Sequence, residues 1–129
     1  MAQLPEHLRY APTHEWVYLD EEGLAVVGVT DFAQESLGDL MSVTPPELGA
    51  DVVQGDAVMS LESVKAASDI HAPLSGEIVA FNHDLEEEPE LVNDEPYDGG
   101  WLFKIQPHEV SELDNLMTAE SYGKAIDHE

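Results

Sequence analysis

Leu61-Glu62-Ser63-Val64-Lys65-Ala66-Ala67-Ser68-Asp69-Ile70 sets a single lysine between two mirrored runs of strand-like sequence. Upstream, Ala57, Met59 and Leu61 alternate with Val58, Ser60 and Glu62. Downstream, Ile70, Ala72, Leu74, Ile78 and Ala80 alternate with Asp69, His71, Ser75 and Glu77. Period-two alternation marks strands with one buried face. Gly55 and Gly76 stand at nearly equal distances on either side of Lys65, each beside an acidic residue. The pattern predicts a β-hairpin over about residues 55–80 with Lys65 at its tip. Ser63, Ala66, Ala67 and Ser68 are small, so a large enzyme could approach the lysine from several directions. A surface lysine is usually a solvated one. Here the chain holds only four basic residues, Arg9, Lys65, Lys104 and Lys124, against 28 acidic ones, which singles Lys65 out.

Outward from the hairpin, residues 16–20 and 24–29 are rich in β-branched and aromatic types and flank a Glu21-Glu22-Gly23 turn, so they should pair. Thr30-Asp31 supplies N-cap chemistry, Gln34 stands three residues beyond Asp31, and Gly38 can end a helix. A short helix over residues 31–37 is expected, with Phe32, Ala33 and Leu37 toward the core. Residues 40–43 read as a strand stopped by Pro45-Pro46. Residues 84–98 are acidic and contain Pro89 and Pro96. They should form a turn-rich cover anchored by Leu85, Leu91 and Val92, with one helical turn near 86–91. Residues 101–105 read as a further strand introduced by Gly99-Gly100. Val110, Leu113 and Leu116 or Met117, then Ala119, Tyr122 and Ile126, follow helical spacing, so the segment from about 108 to 127 should be helical. The order predicts a mostly β, antiparallel sandwich or flattened barrel with helices at its margin.

The length of 129 residues fits a single domain spanning the chain. No cysteine is present, so disulfides and thiolate sites are excluded. A formal charge of −24 argues against nucleic acid and anionic membranes as partners and favours proteins with basic patches. It also suits a high-salt setting, where screening relieves self-repulsion. The first eight residues lack the look of a signal or transit peptide and the apolar runs are too short to span a bilayer, so a cytoplasmic protein is expected. Six histidines, His7, His14, His71, His83, His108 and His128, show no zinc spacing, the acidic stretch has no calcium-loop pattern, and no Gly-x-Ser-x-Gly or phosphate loop occurs. A Schiff-base lysine needs burial or neighbouring positive charge. Glu62 and Asp69 offer the reverse, so acylation of Lys65 would need a separate enzyme.

The segment Glu62-Ser63-Val64-Lys65 with Ala66-Ala67-Ser68-Asp69-Ile70 and Ala72-Pro73 resembles the lipoyl-attachment segment of glycine cleavage system H proteins. The likeness extends in order through Tyr10-Ala11-Pro12-Thr13-His14-Glu15-Trp16, Gly28-Val29-Thr30-Asp31, Ser75-Gly76-Glu77, Pro89-Glu90-Leu91-Val92-Asn93, Pro96-Tyr97 and Gly100-Trp101-Leu102-Phe103-Lys104-Ile105, covering about residues 8–127. It implies a lipoyl-domain β-sandwich with a C-terminal helix and lipoic acid joined to Lys65 through an amide. It also implies a non-catalytic, monomeric carrier. That carrier would move the aminomethyl group of glycine from a pyridoxal-phosphate glycine decarboxylase to a folate-dependent aminomethyltransferase, and would then be reoxidised by dihydrolipoamide dehydrogenase. A lipoyl-attaching enzyme acts first. The resemblance further points to Thr13, Glu15 and Asp69 as groups that shield the aminomethyl arm. Ser36 stands where some family members carry a histidine. Rival readings are a lipoyl carrier of another system, a biotinyl carrier, whose lysine normally lies between methionines rather than Val64 and Ala66, and an unmodified acidic interaction module.

Overall fold

The computed structural model describes residues 5–126. His128 and the last residue of the expected C-terminal helical segment lie outside the described residues. Among the described residues nine strands form two antiparallel sheets that do not close into a barrel: β1 Arg9–Tyr10, β2 Glu15–Leu19, β3 Ala25–Val29, β4 Leu40–Thr44, β5 Asp51–Val52, β6 Ala57–Ser63, β7 Ala67–His71, β8 Gly76–Phe81 and β9 Phe103–Pro107. The larger sheet runs β1-β2-β3-β9-β8-β5 and the smaller β4-β6-β7.

The hairpin centred on Lys65 is shared between the sheets. Near its tip Glu62 pairs with Ala67, and Ala57 with His71, in the small sheet. Farther out Val52 pairs with Gly76, and Asp51 with Glu77, in the large one. Between the two ladders the Gly55 N–H donates to Ala72 and the Ala72 N–H to Asp56, each at 2.8 Å. Gly55, at φ 98°, lies at this passage. One continuous hairpin therefore leaves one sheet and enters the other. Strand alternation then fills the space between them with Val17, Val27, Val29, Leu61, Ile70, Ile78, Phe103 and Ile105, all nearly fully buried. On the outer face of the large sheet Tyr10, Trp16, Val26 and Tyr122 form a second, aromatic cluster. Both faces of β3 are thus covered, which explains why all five of its residues are buried.

Helix α1 covers Asp31–Leu37, as the caps predict. The Thr30 side chain accepts from Ala33, the Gln34 amide donates to Asp31 at 2.7 Å, and Gly38 at φ 82° ends the helix. Ala33 and Leu37 pack against the core, but Phe32 is only half-buried and lies in a cleft described below. Between residues 84 and 98 there are two helical turns rather than one, α2 Asp84–Glu87 and α3 Leu91–Asp94. Pro89 divides them, since it has no N–H to give to a continuing helix, and its carbonyl accepts from Val92 at the start of the second. Leu85 and Val92 are buried as anchors. Strand β9 starts two residues later than expected because the Asn82 side chain takes the Trp101 carbonyl at 2.9 Å. After it, a 3₁₀ segment over Val110–Asn115 and helix α4 over Ala119–Ile126 form the expected helical segment in two pieces. The break falls where Met117 and Tyr10 exchange backbone hydrogen bonds of 2.8 Å.

Candidate functional site

Lys65 lies in the turn between β6 and β7, and Val64, Lys65, Ala66 and Ala67 are all exposed. Ser63 builds this turn. Its N–H donates to the Ala66 carbonyl at 2.8 Å, and its hydroxyl accepts from the Lys65 and Ala66 amides at 3.3 and 3.1 Å. The Val64 N–H donates to the Asp39 carbonyl, tying the tip to the residue before β4. The lysine stem rests on Gly38, where a Cβ would lie 3.1 Å from Lys65 Cε. Gly38 is in turn fixed by Asn93, whose amide donates to the Gly38 carbonyl at 2.8 Å and to Gln34 at 3.0 Å while its oxygen accepts from the Leu40 N–H. Asn93 belongs to a segment already singled out, but nothing in residue type alone could give it this task.

A cleft of about 520 Å³ opens beside α1, lined by Thr13, His14, Val29, Phe32, Ser36, Leu37, Ser68 and Ile70 among others. Leu37 and Ser68 bring its edge to within a few residues of the tip. Thr13 donates its hydroxyl hydrogen to the Glu15 carboxylate. Glu15 is 1% exposed and also accepts from the His71 backbone N–H at 2.9 Å. The His71 ring Nδ1 lies 3.5 Å from the same carboxylate. Burial raises the Glu15 pKa above the usual carboxylate range, against the opposing pull of the Thr13 hydroxyl, the His71 N–H and the His71 ring. Glu15 thus stands behind the cleft wall, bonded to Thr13, and does not itself line the cavity.

Asp69 is placed differently. Ser68 and Ile70 line the cleft while Asp69, between them on β7, is exposed and stays out of the lining. The period of two that carries Ser68 and Ile70 inward carries Asp69 outward. The structure therefore brings Thr13 and Glu15 together but sets Asp69 apart. The cleft residues that sequence reasoning did not assign to a site are His14, Phe32, Ser36, Ser68 and Ile70, of which Phe32 and Ile70 were expected only to pack inward. Among the described residues no group of histidines and carboxylates is placed to hold a metal ion, and no helix is long and apolar enough to cross a membrane.

A β-sandwich that raises one lysine on a hairpin shared by both sheets, with a cleft beside it, defines a carrier domain of the lipoyl type. The sequence model of the glycine cleavage H-protein family matches residues 8–129. A glycine cleavage system H protein of Hydrogenovibrio crunogenus is 69% identical over 127 residues, 98% of each chain. One of Alcanivorax borkumensis is 54% identical over 129 residues, the whole of both chains. The crystal structure of a glycine cleavage system H protein from Mycobacterium marinum superposes with a TM-score of 0.85 at 36% identity, covering 95% of this chain and 98% of that one. The chain belongs to the glycine cleavage H-protein family, and its role is that of a lipoyl carrier in glycine cleavage.

Proposed function

We propose that Lys65 is the lipoylated residue and that the cleft beside α1 receives the loaded arm. The observation that carries this reading is the tip itself: Lys65 is exposed, Ser63, Ala66, Ala67 and Ser68 around it are small, and its stem lies over Gly38, next to Leu37 in the lining of a cleft large enough for a slender arm. These residues fit a lipoyl group, which supplies a disulfide that opens to carry an aminomethyl group. The chain itself does no chemistry in this reading. It tethers, presents and shelters, so that transfer depends on reach and docking. The partners are the pyridoxal-phosphate glycine decarboxylase, the folate-dependent aminomethyltransferase, dihydrolipoamide dehydrogenase and a lipoyl-attaching enzyme, in a cytoplasmic setting. The chain works as a monomer whose acidic surface meets basic partner patches.

Sheltering needs oxygen acceptors for a small cation held away from bulk water. Thr13 supplies one, since its hydrogen is committed to Glu15 and its lone pairs remain for the arm. Asp69, on the outer face of β7, meets the arm or a partner at the tip before the arm enters the cleft. The test is intact mass after exposure to a lipoyl-attaching enzyme. The unsubstituted chain should gain one lipoyl increment and Lys65→Arg none, with glycine cleavage abolished in the variant. A biotin increment, no increment, or residual carrier function in Lys65→Arg would overturn the assignment.

A further inference from the structure

A second cavity, of about 270 Å³, shares Thr13, and no other residue, with the lining of the arm cleft. Ala11, Pro12, Ala72, Pro73 and Leu116 give it apolar walls. Its lining is gathered from the loop between β1 and β2, the Gln54-Gly55 turn before β6, the end of β7 and the end of the 3₁₀ segment. Buried hydrogen bonds hold these pieces together. The Gln54 side-chain amide donates to the Pro73 carbonyl at 2.9 Å and to the Glu112 carbonyl at 3.5 Å. The Ser75 hydroxyl accepts from the Gln54 N–H and gives its own hydrogen to the Glu112 carboxylate, each at 2.9 Å. The cavity is therefore preformed, as ligand sites usually are.

What the lining leaves unpaired is mostly oxygen. Both hydrogens of the Gln54 amide go to carbonyls, which leaves its Oε1 open. The Thr13 hydrogen goes to Glu15, which leaves its lone pairs. Asn115 adds an exposed amide. Behind Thr13 and His71 lies the Glu15 carboxylate, which accepts from the Thr13 hydroxyl and the His71 N–H and stands 3.5 Å from His71 Nδ1. Asp56 and Asp114, each one residue from the lining, are exposed and in no ion pair among the described residues. None of the four basic residues lines the cavity, although Arg9 reaches the Leu116 carbonyl at 3.5 Å. Apolar walls, oxygen acceptors and a negative surround fit a planar, weakly hydrated cation. A guanidinium tolerates apolar walls and stacks on flat rings such as that of His71, whereas an ammonium holds its water. Arginine is also among the side chains that anchor protein interfaces by filling pockets.

We propose that this cavity is a socket for an arginine side chain of a partner enzyme with a basic face, and that filling it weakens the cleft's hold on the loaded arm. The socket stands on the cavity alone, while the coupling rests on the reading that the arm enters the cleft. A chain charged −24 draws such a partner. Thr13 is the wall common to the two cavities. An ammonium on its cleft side and a guanidinium on its socket side repel each other, and the buried wall holds one carboxylate, Glu15, against both. Each cation therefore lowers the affinity for the other by the same factor. The loaded arm is held while the carrier is free and loosened once a basic partner has docked.

The experiment uses the full chain, first with Lys65 unmodified and then lipoylated and aminomethyl-loaded. The probe is N-acetylarginine amide, with the corresponding lysine and norleucine amides as comparators. In the unmodified chain the arginine amide should shift the backbone NMR signals of Gly55, Ala72 and Leu116 and bind about fivefold more tightly than either comparator. Asn115→Lys, a change at an exposed position, should weaken the arginine amide about tenfold by setting a cation in the mouth. Equal binding of the three amides, or unchanged binding in Asn115→Lys, overturns the socket. Loading the arm should weaken the arginine amide about tenfold. Unchanged affinity in a loaded carrier whose arm protons contact Phe32 and Ile70 overturns the coupling. Absence of those contacts instead overturns the reading that the arm enters the cleft, and the coupling with it, while the unmodified chain still decides the socket.

Discussion

At the tip of the central hairpin Val64, Lys65, Ala66 and Ala67 stand in solvent, whereas at its base the Gly76 backbone packs so closely on β9 that a Cβ would lie 2.2 Å from the Gln106 carbonyl and 2.5 Å from Ile105. Within the same hairpin, His71 gives its backbone N–H to the buried Glu15 carboxylate, whereas at the tip the Val64 N–H goes to the backbone carbonyl of Asp39. The tip turn depends on one hydroxyl, that of Ser63, and leaves the neighbouring side chains unconstrained. The contrast separates two tasks that oppose each other. In the proposed reading, a group to be acylated and offered to partner enzymes must make few contacts, while the platform and the cleft must hold fixed positions against which the arm can dock.

The contrast can be broken by substitution, most severely at the base. Gly76→Ala should lose about 3 kcal/mol in chemical denaturation, because the added methyl meets backbone on β9 and not a side chain that can swing away. A loss under about 1 kcal/mol would mean that β8 and β9 shift apart easily and that the base is no more rigid than the tip. Next comes Glu15. Glu15→Ala should cost about 2 kcal/mol by leaving the Thr13 hydroxyl and the His71 N–H without their acceptor. Glu15→Gln retains a carbonyl for His71 and an amide for Thr13.

The glutamine variant also carries a pH signature. Burial raises the Glu15 pKa in the folded state, so the folded chain holds this proton more tightly than the unfolded chain does. That contribution is present at low pH and is lost as pH rises through the folded value. Glu15→Gln has no such proton to lose. Its stability relative to the parent should therefore improve as pH climbs from the ordinary glutamate range through that window, as followed by denaturation midpoints across a pH series. A difference that stays flat with pH would show that Glu15 is better solvated than its burial indicates.

Smaller effects belong near the tip. Gly38→Ala should cost about 1.5 kcal/mol, because its backbone at φ 82° and ψ −161° lies in a region essentially reserved for glycine. It should also move the Lys65 side-chain NMR signals, because the new methyl meets the lysine stem. Unmoved signals would remove Gly38 as the seat of the lysine. Lys65→Arg should change stability by no more than about 0.5 kcal/mol. A larger shift in its denaturation midpoint would give the tip a structural duty that its exposure argues against.

Local signals that depend on neighbours in the chain were legible before any coordinates. Thr30, Gln34 and Gly38 mark both ends of α1 because capping is a matter of side chains reaching backbone groups a few residues away. The alternation around Lys65 announces the hairpin because strand side chains alternate whatever lies opposite. Helical spacing over Val110, Leu113 and Leu116 and over Ala119, Tyr122 and Ile126 was also visible, but not that the two pieces part where Met117 is claimed by Tyr10 from the far end of the chain. Phe32 reads as a core residue by type and spacing. It instead forms a cleft wall, because His14 arrives against it at positive φ.

From its residues alone this chain declares a mostly β domain, no thiol chemistry, a heavily acidic surface and one lysine displayed on a symmetric hairpin. The ordered motifs around that lysine point to the H-protein family. The β domain, the missing thiol, the acidic surface and the displayed lysine follow from residue type, period and spacing, which are properties of the chain as written, and the family follows from the resemblance of its motifs. The tertiary structure decides that the hairpin is divided between two sheets, that Asn93 fixes the glycine beneath Lys65, and that Glu15 lies buried behind Thr13. It also decides that Asp69 faces out where Ser68 and Ile70 face in, and that Tyr122 reaches His14. Each of these joins residues far apart in sequence through a buried hydrogen bond or a packed face, and the geometry of such bonds exists only once the two sheets and the C-terminal helix have closed on one another.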